Sequence, residues 1–293
     1  MKKRIITVYF LCLFFLSPLF SQEFGLVLSG GGGKGAYEVG VWKALNEYGI
    51  AQRITTLSGT SVGGLNSALF ACVPPDQIEE LWKTQVPAYL TENDALISQP
   101  GLLKLINTIQ INKLRATYPR VTVTAVRNQY LAAKAFMNTI STQTGSYATR
   151  FILNDESDPN EVKRKLLATA AFPVVCSPVK LKDGYEYYDG GFEQVGGDNV
   201  PLQPIIDTNK GGFNVSTIII VYLSNEPKKY REIDYDNFNL IQIVPSIDLG
   251  NILDGTTNFT TARIEMLINK GYEDAVKVLK SKGYYPVSNY WFQ

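Results

Sequence analysis

Apolar residues along the chain fall in short blocks whose spacing alternates between two periods. Phe24 to Leu28 is a short apolar run that reads as a buried strand, and it ends at a glycine-rich turn. From Ala36 to Tyr48, Val39, Val41, Trp42, Leu45 and Tyr48 lie on one helical face, with Gly49 placed to cap its end. Ile54 to Leu57 is a second brief strand. Val62 to Cys72 returns to a helical spacing that Pro74 and Pro75 stop. Strand, turn and helix, twice over, is the rhythm of an α/β protein with a mostly parallel central sheet.

The later blocks agree. Val121 to Val126 alternates valine and threonine as a strand does. Asp158 and Pro159 form an N-cap and first-turn pair ahead of a helix over Glu161 to Ala171. Pro178 to Tyr188 reads as a hairpin turning at Asp183-Gly184, and Ser216 to Leu223 as a central strand. Asn225 to Asn239 has no period and is read as loop. Thr260 to Leu279 is helical with a break near Gly271, giving one kinked helix or two. Leu102, Leu105, Ile106 and Ile109 mark an apolar face on a short helix after Pro100-Gly101; core packing is favoured there over a lid that touches membrane. Tyr284, Tyr285, Tyr290, Trp291 and Phe292 admit either an interfacial role or packing on the domain. No linker or solenoid repeat divides residues 22–293, which are expected to form a single domain.

The first residues follow a different logic. Lys2, Lys3 and Arg4 precede an apolar run from Ile5 to Leu16, then Ser17-Pro18 and a small residue at Ser21. This predicts a secretory signal peptide over residues 1–21 and an exported protein, periplasmic, outer-surface or secreted, with a retained anchor as the alternative. The run is shorter than the roughly 20 residues that span a bilayer. Cleavage removes Cys12 and leaves Cys72 and Cys176, whose pairing the spacing does not decide.

Charge and composition then narrow the chemistry. A net charge of +1 in 293 residues does not point to nucleic acid as a partner. The chain contains no histidine, which excludes Ser-His-Asp and Cys-His mechanisms and imidazole metal sites. Acid–base work falls to Asp, Glu, Lys, Tyr or Cys, and no metal site is expected.

Three motifs carry candidate chemistry. Gly59-Thr60-Ser61-Val62-Gly63 fits G-x-S-x-G between a strand and a helix. A nucleophile on so sharp a turn needs neighbours without side chains, and the helix starting at Val62 aims its free N–H groups at an adjacent anion. Gly30-Gly31-Gly32-Gly33-Lys34-Gly35 lets consecutive N–H groups converge on an anion. It fails the phosphate-loop pattern twice, with Leu28 for the first glycine and Gly35 for the hydroxyl residue. It meets G-x-G-x-x-G but lacks the acidic residue about 20 positions on that a dinucleotide site needs. An oxyanion hole needs only the N–H cluster. Lys34 either favours anionic groups or is simply solvated. The third motif is Tyr188-Asp189-Gly190-Gly191, where Asp189 is either a carboxylate base or a turn residue.

Taken in order, Gly-Gly-Gly-x-Lys-Gly, Gly-x-Ser-x-Gly and Asp-Gly-Gly resemble the patatin-like phospholipases. Ala168-Thr169-Ala170-Ala171-Phe172-Pro173, followed by Ser177-Pro178-Val179, resembles the segment that family carries before its aspartate motif. Cys176 stands where an aromatic residue is common. The resemblance extends from about Phe24 to Leu279. It implies a three-layer α/β/α fold and lipid acyl hydrolysis through an acyl-serine intermediate. It further implies Ser61 as nucleophile, Asp189 as proton acceptor, an oxyanion hole of Gly31, Gly32, Gly33 and Val62, and no cofactor. The implied partner is a phospholipid or other acyl-ester lipid at a membrane surface. An acyltransferase or short-chain esterase with the same dyad is the nearer alternative, and a non-enzymatic ligand-binding protein the farther one.

Overall fold

Among the described residues eight strands form one sheet: β1 (Glu23–Leu28), β2 (Ile54–Thr60), β3 (Arg120–Arg127), β4 (Ala148–Ile152), β5 (Val179–Lys180), β6 (Glu186–Asp189), β7 (Val215–Val221) and β8 (Asn239–Ile243). The computed structural model describes residues 23–92, 96–116, 119–129, 146–173, 175–210, 215–226 and 238–287. The expected leader and the tail aromatics Tyr290, Trp291 and Phe292 lie outside the described residues. Among the described residues the α-helices are α1 (Ala36–Glu47), α2 (Val62–Cys72), α3 (Pro75–Leu90), α4 (Gln99–Thr108), α5 (Ile111–Ala116), α6 (Pro159–Thr169), α7 (Gln203–Lys210) and α8 (Thr261–Ser281).

Strands β3, β2, β1, β7 and β8 run parallel in that order, while β4, β5 and β6 join antiparallel on the β3 side. Alternation along β1 and β7 splits the core. Leu26, Leu28, Ile219 and Val221 face a large cluster with α1 to α6 and α8, whereas Val27, Ile218 and Ile220 face Ile205 of α7. The sheet is therefore covered on both faces by layers of unequal size. Among the described residues no helix is long and apolar enough to cross a membrane.

Local signals start the helices as expected. Asp158 accepts from the Asn160 N–H at 2.8 Å, with Pro159 opening α6. Pro75 opens α3 from its first position, so the proline pair that ends α2 also starts the next helix. Two expectations are corrected. Thr261–Ser281 is one helix, α8, and not two; a Cβ at Gly271 would collide with the Tyr37 carbonyl oxygen, so this glycine permits a close crossing with α1. Of the segment from Asn225 to Asn239 read as loop, residues 227–237 lie outside the described residues, and only its last residue, Asn239, departs from the reading by opening β8 against β7. Cys72 and Cys176 are both free and buried. Tyr284 packs edge-on against Phe24, while Tyr285 is exposed.

Candidate active site

The parallel register sets the glycine loop beside Ser61. Leu28 pairs with Gly59, so β1 and β2 end side by side, one running into Gly30–Gly35 and the other into Ser61. Clefts outside the carboxyl ends of parallel strands are where α/β folds hold ligands. Asp189 arrives by a different route. On one edge β3 carries β4, and on the other β2 up to the Thr60–Thr124 pair; β6 takes over that second edge at Ala125, opposite Asp189. The antiparallel strand thus delivers its last residue to the point where β2 stops.

Ser61 is the only non-glycine described residue with positive φ, at φ 56° and ψ −127°. Such backbone strain costs about 1–3 kcal/mol and persists only where the surroundings enforce it. A Cβ at Gly59 would strike the Gly63 carbonyl, and one at Gly63 the Leu28 carbonyl, which accounts for both glycines of the motif. The Ser61 N–H donates to Thr169 Oγ1 at 3.0 Å, and the Thr169 hydroxyl donates to the Thr124 carbonyl. The Ser61 carbonyl accepts from the Gly64 and Leu65 N–H groups, starting α2 with Val62 at its first position.

The Asp189 carboxyl is buried and lines the same cavity as Ser61; its Oδ1 accepts from the Gly191 N–H at 2.8 Å. Burial raises it from 3.8 to about 6, opposed by the neighbouring Ser61 side chain and the Gly191 N–H, which favour the ionised form. Its own N–H donates to the Ala171 carbonyl at 3.0 Å. The Ala-Thr-Ala-Ala segment therefore supports both partners, Ser61 through Thr169 and Asp189 through Ala171. Gly190 packs against the β3 backbone at Thr124.

In the glycine loop, the Gly30 N–H donates to the Asn199 carbonyl at 3.1 Å, and the Lys34 N–H to the Gly31 carbonyl at 3.2 Å. The turn from Gly32 to Gly35 is a 3₁₀ helix, so the N–H groups of Gly31, Gly32 and Gly33 have no partner within it. Gly31, Gly32, Val62, Ser61 and Asp189 all line one cavity, while Gly33 is buried behind it against Asn258 and Gly255. Gly35 packs under Val62. Lys34 also lines the cavity and donates to the Gly250 carbonyl at 3.4 Å; burial lowers its pKa, opposed by Asp248.

The cavity has a volume of about 300 Å³ and leads from the polar group at Ser61 into an apolar interior. Leu102, Leu105, Ile106 and Ile109 are buried in its wall, so the face read as core packing is also cavity lining. Residues not singled out in the sequence complete the site. Leu81, Trp82 and Val86 of α3 form another wall. Asn199 clamps the Gly30 peptide, and Asp198 accepts the Thr60 hydroxyl at its carbonyl (2.7 Å) and pairs with Arg150 at 3.2 Å. Asn66 joins three elements, donating to the Gly35 carbonyl (3.0 Å) and to Glu38 Oε2 (2.8 Å), and accepting from Trp82 Nε1 (3.0 Å). Burial pushes the fully enclosed Glu38 carboxyl well above its usual range. Among the described residues no cluster of Cys, Asp and Glu is arranged to hold a metal ion.

This combination of glycine loop, strained serine and buried aspartate coincides with a sequence comparison. The profile described as "Patatin-like phospholipase" matches residues 26–206, which span the glycine loop, Ser61 and Asp189. The chain belongs to the patatin-like phospholipase family. It is 45% identical over 62 residues to a patatin-like phospholipase domain-containing protein of Caenorhabditis elegans, a match covering 21% of this chain and 4% of that protein. It is also 51% identical over 53 residues to lysophospholipase nte1 of Aspergillus terreus, covering 18% of this chain and 3% of that one. The chain thus corresponds to a small part of these much longer relatives. Among solved structures, VipD from Legionella pneumophila aligns over 89% of this chain and 67% of its own, with 15% identity and a TM-score of 0.45. ExoU of Pseudomonas aeruginosa, solved with SpcU, aligns over 88% and 53%, with 16% identity and a TM-score of 0.41. Members of the patatin-like phospholipase family are lipid hydrolases, and the sheet with its glycine loop is this chain's version of their α/β fold.

Proposed function

We propose that the protein is a serine-type lipid acyl hydrolase that cleaves carboxylic ester bonds of phospholipids or related acyl lipids with a Ser61–Asp189 dyad. The observation that carries this reading is the strained Ser61 sharing one cavity with the buried Asp189 carboxyl, which burial raises to about 6, in a chain without histidine. A base near 6 is ionised at neutral pH and stronger than an ordinary aspartate, which suits proton transfer from a serine hydroxyl.

Asp189 takes the Ser61 proton as Oγ attacks the ester carbonyl, forming a tetrahedral oxyanion. The N–H groups of Gly31, Gly32 and Val62 receive that charge; removing one such donor costs about 3–4 kcal/mol of barrier in comparable sites. Gly33 and Gly35, set back from the cavity, shape the turn that aims them. Collapse of the intermediate breaks the ester C–O bond, and the leaving alcohol takes the proton from Asp189. Water then gives a proton to Asp189 and attacks the acyl–Ser61 ester, and the fatty acid departs as Ser61 recovers its proton. The acyl chain occupies the apolar cavity between α3 and α4. No step calls for a cofactor. The leader-like residues 1–21 support export, which puts the substrate in a membrane or lipid aggregate beyond the inner membrane.

The test is a panel of phospholipids, monoacyl lipids and short esters given to wild type and Ser61→Ala. Wild type is expected to release fatty acid from at least one lipid class, and the variant from none. Equal turnover by the two proteins overturns the assignment.

A further inference from the structure

The segment after β8 closes over the glycine loop and holds two large apolar side chains in water. Ile252 is 56% exposed and Leu253 68%. They begin a π turn, Ile252–Thr256, that is tightly bonded. Asn251 Oδ1 accepts from the N–H groups of Leu253 (2.8 Å) and Asp254 (3.2 Å). Its carbonyl accepts from Gly255 and Thr256 at 3.0 Å each. Arg263 donates to the Leu249 carbonyl at 2.6 Å and Lys34 to the Gly250 carbonyl, while the Thr256 carbonyl lies against Gly32. The backbone is fastened to the catalytic loop, yet the side chains point outward. What sets this pair apart from scattered exposed apolar residues is its place, on a fixed backbone at the rim of the cavity.

We infer that the Ile252–Leu253 turn seats the mouth of the cavity in a lipid surface, an inference that rests on the acyl-lipid reading of that cavity. Ile252 both lines the cavity and reaches solvent, so it joins the interior to whatever Leu253 touches. An acyl chain leaving a lipid aggregate then passes along apolar surface without crossing water. Charge selects the kind of surface. Lys34 stands close to both Asp248 and Arg263, and Asp254 lies within the turn, so two cations face two carboxylates and the rim is nearly neutral. Such a rim enters a zwitterionic interface by apolar insertion and gains little from anionic headgroups.

The test uses Leu253→Ser, a position outside the cavity wall. Hydrolysis is measured on phosphatidylcholine vesicles and on a short-chain ester kept below its aggregation concentration. Flotation with the same vesicles is measured for Ser61→Ala with and without Leu253→Ser, so that no lipid is consumed. The variant is expected to keep the soluble-ester rate within about twofold and to lose about tenfold in vesicle rate and flotation. Flotation should be the same at low and high salt. Unchanged vesicle binding, an equal loss on both substrates, salt-sensitive flotation, or a wild-type dimer that Leu253→Ser dissociates would each overturn the inference. If wild type hydrolyses no ester at all, the acyl-hydrolase reading fails and flotation alone decides the docking surface.

Discussion

Replacing Asp189 by asparagine is expected to abolish turnover and to stabilise the fold at neutral and alkaline pH. The carboxyl is 3% exposed and stands at about 6 instead of 3.8. That difference corresponds to about 3 kcal/mol against the ionised form in the folded state. Because the folded value lies above the unfolded one, the cost is absent below about pH 3.8. It grows as pH rises between the two values and is complete above about 6. Asparagine keeps an Oδ1 for the Gly191 N–H, so the turn retains that bond. Urea unfolding of wild type and Asp189→Asn across pH measures the difference directly. The advantage of the variant should grow by up to about 3 kcal/mol between pH ~3.5 and pH ~8. A difference independent of pH, or one that moves against the variant as pH rises, refutes the buried-base description. The same carboxyl predicts that wild-type kcat/KM falls as pH drops through about 6.

Gly32→Ala forces a side chain at φ +57° into the Thr256 carbonyl; kcat should fall about 10²–10³-fold with KM little changed. A raised KM with normal kcat would instead mark a ground-state binding loop. Thr169→Val strips the Ser61 N–H of its acceptor and should cost about 1–3 kcal/mol of stability together with most of the turnover. Native-like melting and activity in that variant would show that the strained turn does not depend on Thr169. Gly271→Ala should destabilise by at least about 1–3 kcal/mol, because α8 crosses α1 there with no room for a Cβ. Thermal unfolding checks it, and a neutral or stabilising result contradicts the close crossing.

What was legible in the sequence was local chemistry. Ser61 and the glycine loop could be read because a strand, a turn and a helix follow one another without interruption, and the residues that shape each turn are adjacent in the chain. The hairpin ending at Asp189 was also readable, but its partner was not. Only the pairing of β6 with the free edge of β3 beyond Thr124 brings that carboxyl to Ser61, and nothing local encodes the pairing. Gly271 misled because a glycine inside a helix has the same sequence signature whether it breaks the helix or admits a neighbour. The rim from Leu249 to Phe259 went unread because a turn held by side-chain caps and carbonyl contacts has no hydrophobic period. Glu38 and Asn66 did leave a trace: each sits at helical spacing from apolar residues, Glu38 before Trp42 and Leu45, Asn66 between Val62 and Leu69. A polar residue on an apolar face is the mark of a buried network, and here it ties the glycine loop to the cavity wall.

The most direct test of the dyad is covalent trapping. Wild type, Ser61→Ala and Asp189→Asn are incubated with a fluorophosphonate, and the modified residue is located by peptide mass spectrometry. A single adduct on Ser61 in wild type, none in Ser61→Ala and much slower labelling in Asp189→Asn is the expected result. An adduct on another residue, or labelling of Asp189→Asn at the wild-type rate, would contradict the account.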